Sequence, residues 1–332
     1  MRMLFHANDI TETGTSTSIW EYASWFAARG HEVNIAYNTD YRTNHSSSIK
    51  KFESRFEVHG YAKFNSFAIE QAGKFDFAYF AKAGNFDGRL LPGAKNAVHA
   101  VFQHFEPHGD SYAYVSQWTA DMMARDQQIY LPRSVRRKIP NKLMRLPDVP
   151  HFVNMPPMNR NLRKDWRIPE DAFVILRYGG YEKFDIKWVQ RIVLELLNKY
   201  HNLFFIFINT KPFAIHKRIV YLPVIMEKQD KSNALYSADL FLHARMQGEC
   251  FSMALLEAMS ARIPILSWRG GIDQGHTLTL DADSLYDSPA SLMVRLNSMI
   301  TGARNRYDHR KLKEFSEDKV MNKFIKVFLG GL

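Results

Sequence analysis

The chain has 332 residues, 46% hydrophobic and 23% charged, which excludes a disordered, collagenous or coiled-coil protein and, at roughly 150 residues per domain, predicts two domains. One cysteine, Cys250, excludes a disulfide framework and an all-cysteine metal cluster and fits a reducing cytoplasm. A formal net charge of +10 points to an anionic partner: a nucleotide, a phospholipid surface, a phosphorylated acceptor or a nucleic acid.

Met1 to Ile10 alternates apolar with polar or basic residues, and the longest apolar run, Leu203 to Ile208, suits a buried strand. Neither a signal peptide nor a spanning segment is expected. The protein is read as soluble and cytoplasmic, at most peripheral to the inner face of a membrane.

Arg2 to Ala7 reads as a strand, followed by the polar loop Asn8 to Thr17 with Gly14 and Thr15. Ser18 and Glu21 have the spacing of a capping box, and Ile19, Tyr22, Ala23 and Phe26 recur at helical spacing up to a stop at Gly30. Glu32 to Tyr37 resumes as a strand, so the first forty residues form a βαβ unit and predict a parallel sheet. Phe75 to Ala81, Ala97 to Phe102 and Tyr112 to Val115 are further strands. Six prolines between Leu131 and Pro157 mark loops and an interdomain connection, with the boundary near Pro156.

A second series follows: strands Phe173 to Arg177, Leu203 to Asn209, Ile219 to Leu222, Leu240 to Ala244 and Ile263 to Trp268, with helices Ile186 to Tyr200 and Ser252 to Ala261. Lys311 to Phe328 reads as a basic amphipathic helix. The expected division is 1–155, 156–310 and a C-terminal helix, 311–332, returning to the N-terminal domain. Two parallel-sheet α/β domains facing each other would form a cleft at the carboxyl ends of their strands, where such sheets bind ligands.

The segment from Asp239 to Trp268 carries the most chemical information. A buried strand leads into Arg245-Met246-Gln247-Gly248-Glu249, and a helix begins near Phe251. Its first turn, near Phe251 and Ser252, offers free N–H groups and a positive dipole end to a phosphate. Glu249 precedes the helix, and Glu257 lies inside it, leaning back toward its N-terminus. Two carboxylates beside an anion site make sense when they grip hydroxyls.

This pattern, Glu249-Cys250-Phe251-Ser252 through Glu257-Ala258 and Pro264, resembles the Glu-x7-Glu motif of retaining glycosyltransferases of the GT-B fold, glycosyltransferase family 4 in particular. The resemblance implies two Rossmann-like domains, a nucleotide diphosphate sugar as donor co-substrate, and neither metal nor other cofactor. It implies that Glu257 holds the ribose hydroxyls and that Glu249 contacts the donor sugar near the reacting carbon. Arg177 and Lys183 stand where the family has an Arg and Lys pair that neutralises the diphosphate, one residue further apart than usual, with Lys187 as the substitute. Gly14 and Thr15 match the family's loop close to the diphosphate. Arg245, Gly248, Cys250, Phe251 and Ser252 belong to the donor loop, and Asn209, with Thr210, borders the base. A histidine facing donor sugar and acceptor is expected at His108, or else His104. The 1–155 domain would take the acceptor and the 156–310 domain the donor.

Asp281-Ala282-Asp283 matches a metal-binding Asp-x-Asp pattern but reads better as a polar turn, and His99 inside an apolar run reads as a core histidine. The run of Arg133, Arg136, Arg137, Lys138, Lys142 and Arg145 suits an anionic acceptor, a membrane headgroup layer or a solvated linker. No nucleic-acid-reading module is present. The expected activity is transfer of a sugar to a glycan, lipid-linked or other hydroxyl acceptor, as in polysaccharide biosynthesis. The alternatives are a non-catalytic nucleotide- or sugar-binding protein, a phosphorylase or epimerase of the same fold, and a DNA-modifying glycosyltransferase.

Overall fold

The computed structural model describes residues 1–129, 146–302, 304 and 306–330. Two compact units divide the chain: Met1–Phe152 with Phe315–Leu332, and Val153–Glu314. The basic segment 133–145 lies outside the described residues.

In the first unit, strands β1 (Arg2–Ala7), β2 (Glu32–Asn38), β3 (Glu57–Tyr61), β4 (Phe77–Lys82), β5 (Lys95–Ala100) and β6 (Ser111–Tyr114) form one parallel sheet in the order β3-β2-β1-β4-β5-β6. β1 buries five of six residues and β4 all six, as strands covered on both faces must. The helix Gly14–Ala27 crosses over from β1 to β2. It begins at the N-cap Thr13, which makes no side-chain cap, so the expected capping box at Ser18 and Glu21 is absent. Ser18 is instead inside the helix, its hydroxyl donating to the Thr15 carbonyl at 2.8 Å, and Glu21 is buried. The helices Ser46–Glu53, Phe64–Gln71 and Gln117–Ile129, and the edge strand β3, complete the unit without having been expected.

The C-terminal segment packs here too, but its α-helix is only Glu317–Phe324, continued by a π-turn over Ile325–Leu329. Phe324 lies against Tyr22 and Tyr79 at ring distances of 4.9 and 5.4 Å, and Lys323 pairs with Asp148 at 2.6 Å. Each such fully buried aromatic is worth about 1.5–3 kcal/mol of apolar transfer, which suffices to hold a short terminal helix in place.

The second unit repeats the plan. Strands β7 (Phe173–Tyr178), β8 (Leu203–Ile208), β9 (Ile219–Leu222), β10 (Leu240–His243), β12 (Ile265–Trp268) and β14 (Leu285–Tyr286) pair in parallel in the order β14-β12-β10-β7-β8-β9. The helix Lys187–Lys199 buries Val189, Ile192, Val193, Leu196 and Leu197, the i, i+3, i+4 stripe of an amphipathic helix laid on a sheet. Strand order reverses between β7 and β10. Asp281 and Asp283 sit at a 3-10 turn, where Asp281 accepts the Arg310 amide at 3.0 Å and Asp283 the Tyr307 hydroxyl at 2.7 Å. Among the described residues no helix is long and apolar enough to cross a membrane.

Candidate functional site

The site of the second unit is built where β10 ends. Beyond His243 the chain loops and returns as β11 (Gly248–Glu249), paired in parallel with β13 (Asp273–Gln274). This pairing requires glycine twice. At Gly248, with φ +78°, a β-carbon would lie 1.9 Å from the Asp273 carbonyl oxygen; at Gly271, with φ +103°, it would lie 2.3 Å from that of Gln247. The Asp273 side chain accepts from the Gln247 amide at 2.7 Å and the Cys250 thiol at 3.2 Å. Cys250 is therefore a buried junction residue of the loop.

Glu249 emerges from this junction with its carboxylate bonded to Arg245 and 3.5 Å from His243 Nε2. Burial works to raise its pKa, but the His243 bond and charge and the Arg245 guanidinium outweigh it and hold the carboxyl below the usual range. His243 is fixed in turn by Ser267 Oγ at 2.9 Å. His276, fully buried, accepts the Glu249 amide through Nδ1 at 3.2 Å and donates Nε2–H to the Trp268 carbonyl at 2.6 Å. Both bonds suit a neutral ring, and burial lowers its pKa accordingly.

The helix Met253–Ser260 follows, within one residue of the expected Ser252 to Ala261 at each end. Its N-cap Ser252 is buried and makes no side-chain cap, so the first-turn N–H groups have no capping partner in that hydroxyl. Glu257, on this helix and 1% exposed, accepts the Tyr178 hydroxyl at 2.6 Å and the Lys231 ammonium at 3.1 Å. Its position thus joins the end of β7 to the helix Lys228–Tyr236.

Arg177 is also buried. Its guanidinium donates to Asn209 O at 3.1 Å, Thr210 Oγ1 at 2.5 Å and Gly180 O at 2.8 Å, tying the loop after β7 to the loop after β8. Burial lowers its pKa to about 10, so it remains a cation at neutral pH. Asn209 adopts φ +47° and donates Nδ2–H to Gly179 O at 2.9 Å, closing the same brace. Lys183 and Lys187 are exposed on the adjoining segment, and Phe251 lies partly buried at the loop's end.

Glu249, Glu257, Arg177, Asn209, Arg245, Gly248, Cys250, Phe251 and Ser252 therefore share the carboxyl ends of β7, β8 and β10. Gly14 and Thr15 belong to the other unit, at the start of the helix Gly14–Ala27. So does His108, whose ring packs edge-on against Phe86, in the loop after β4, at 5.2 Å; Gly109 beside it is back at the amino end of β5, where a β-carbon would lie 3.0 Å from Asn96 O. The reason is the parallel sheet, whose connections must run back along the strands before the next one begins. His104, in the same connection and closer to the carboxyl end of β5, is exposed. Sequence reading missed His243, His276, Tyr178 and Lys231. Of these only His243 carries a signal, a polar residue ending an apolar strand.

No protein-family model and no curated protein sequence matches the chain. Solved structures do. HepE of Anabaena, in complex with UDP-glucose, superposes with a TM-score of 0.72 at 13% identity over 100% of both chains. TarM of S. aureus, in complex with Fondaparinux, alpha-GlcNAc-glycerol and UDP, gives 0.66 at 9% over 99% of this chain and 100% of that one. WaaG, a glycosyltransferase involved in lipopolysaccharide biosynthesis, gives 0.61 at 16% over 99% and 100%. The fold is GT-B. The two six-stranded parallel sheets with flanking helices are the α/β architecture expected from the sequence, and in GT-B terms the constellation around Glu249 lies in the C-terminal Rossmann-like unit.

Proposed function

We propose that the protein is a retaining, metal-independent glycosyltransferase that moves a sugar from a nucleotide diphosphate sugar, held by the second unit, to a hydroxyl of a glycan or lipid-linked acceptor taken by the first. The observation carrying this reading is the pair Glu249 and Glu257, set on either side of an uncapped helix N-terminus at the carboxyl edge of the sheet. A diphosphate suits that N-terminus, with Lys183 and Arg245 supplying charge; for Gly14 and Thr15, in the first unit, a donor-binding role rests on the sequence resemblance. Glu257 then receives the ribose hydroxyls and Glu249 the donor sugar. Arg177 acts by holding the Gly180 and Asn209 loops in register as well as by its charge. We assign the histidine role to His108, whose ring packs against Phe86 in the loop after β4, with His104 of the same connection as the alternative.

Departure of the diphosphate leaves positive charge on the sugar ring. The ionised Glu249 is preorganised to stabilise it, and the leaving phosphate accepts the acceptor proton on the same face. The UDP-glucose and UDP bound to HepE support a uridine nucleotide as the first donor to try. The test is proton NMR of UDP-glucose turnover: retention predicts that the first sugar released or transferred is the α-anomer. Initial release of the β-anomer would replace this mechanism with an inverting one.

A further inference from the structure

In the first unit the strand order reverses between β1 and β4, the place where open α/β sheets take ligands. Lys82 ends β4 there and is 3% exposed. Its ammonium donates to Asp87 Oδ1 at 2.6 Å and Arg89 O at 2.9 Å, and its third N–H has no hydrogen-bond acceptor among the described residues. Arg89 donates through Nη1 to Asn8 Oδ1 at 2.9 Å, just past β1, and its Nε stands 3.9 Å from Asp87 Oδ2. Its Nη2 has no partner among the described residues.

The charges acting on Lys82 are Asp87 and Arg89, so two cations share one carboxylate. The surplus charge is accessible, since the Arg89 side chain is 23% exposed. Exposed aromatics stand on the neighbouring loops: Tyr41, within electrostatic reach of the Tyr61 that bonds His6, and Phe86 and Phe102 after β4 and β5. Phe86 and Phe102 are anchored through their amides, to the Glu106 carboxylate at 2.7 Å and to Ala83 O at 3.3 Å. Apolar ring faces beside fixed polar donors suit the alternating apolar and hydroxyl surfaces of a sugar.

We propose that Lys82, Asp87, Arg89 and Asn8 form a subsite for a saccharide bearing one anionic group, a carboxylate or a phosphate ester. Arg89 Nη2 and the third N–H of Lys82 receive the anion, while Asp87 and Asn8 orient Arg89 and bond ring hydroxyls. Calling this saccharide the acceptor rests on the transferase reading; the subsite itself does not.

The full chain is titrated calorimetrically with glucuronate, glucose 6-phosphate, glucose and, separately, UDP, in the wild type and in Arg89→Gln and Arg89→Lys. The expected result is that at least one anionic sugar binds tenfold or more tightly than glucose. Arg89→Gln loses that preference tenfold or more, Arg89→Lys keeps part of it, and UDP binding stays within twofold. Preference for glucuronate assigns a uronic acid, and preference for the phosphate a sugar phosphate. Equal binding of glucose, an unchanged Arg89→Gln variant, or no sugar binding by protein that binds UDP would overturn the subsite. Anion-selective binding without UDP binding would uphold the subsite and sink the transferase reading.

Discussion

His276 accepts the backbone N–H of Glu249 at 3.2 Å while donating its other ring nitrogen to Trp268 O at 2.6 Å, so one buried ring connects the loop after β10 to the end of β12. Replacing it with phenylalanine removes both bonds and leaves the part-buried Trp268 carbonyl without this donor. His276→Phe is expected to lower unfolding free energy by about 1–3 kcal/mol, and His276→Gln, which supplies both an acceptor and a donor, to recover part of it. Urea unfolding of the three proteins measures this; equal stability of the phenylalanine and glutamine variants would contradict the brace.

Arg177 offers a separation of charge from geometry. A lysine keeps the cation but cannot span Asn209, Thr210 and Gly180 together. Arg177→Lys is therefore expected to weaken nucleotide affinity nearly as much as Arg177→Met, and thermal melts of both should fall. Near-normal affinity in the lysine variant would make Arg177 a point charge only.

Lys231 and Glu257 form a largely buried pair, their side chains 14% and 2% exposed. Lys231→Met leaves the buried carboxylate to the Tyr178 hydroxyl and is expected to cost up to about 3 kcal/mol, the lower end for broken buried pairs because the lysine is not fully enclosed. Adding Glu257→Gln should restore much of the loss. A double variant no more stable than Lys231→Met would show that the pair is not coupled.

Buried histidines set the acid sensitivity of the first unit. Burial lowers His99 to about 4 and His6 to about 3, in both cases from an ordinary 6.5, with Lys82 and Arg89 adding to the effect on His6. Below pH 6.5 the unfolded chain binds protons that the folded chain refuses, so stability falls as pH drops from 6.5 and the His99 contribution is spent by about pH 4. His99 alone accounts for roughly 3 kcal/mol. Urea unfolding between pH 7 and 4 should show this slope, reduced in His99→Gln, whose amide still meets the Tyr79 hydroxyl that bonds His99 at 2.6 Å. An unchanged slope would remove His99 from the account.

What the sequence disclosed depended on how local the cause was. β1, the strand before Glu249 and the eight-residue step to Glu257 are set by contiguous residues, and all were legible. The helix Gly14–Ala27 began four residues before its expected cap because Ser16 and Ser18 are buried and bonded locally, which a polar composition disguises. The helices Ser46–Glu53 and Phe64–Gln71 are about two turns long without side-chain caps, so packing rather than end signals defines them. His276 and Lys231 acquire their roles from residues 27 and 26 positions away, through strand pairing and helix docking that no spacing rule contains.

The central claim, that the second unit binds a nucleotide sugar through Glu257, is tested most directly by calorimetric titration of UDP, GDP, ADP and TDP into the wild type and Glu257→Gln. The account predicts selective binding of one nucleotide, weakened by about 1–3 kcal/mol in the variant, the scale of lost hydrogen bonds to a charged group. Folded protein that binds none of the four, or a Glu257→Gln variant that binds as tightly as the wild type, would contradict it.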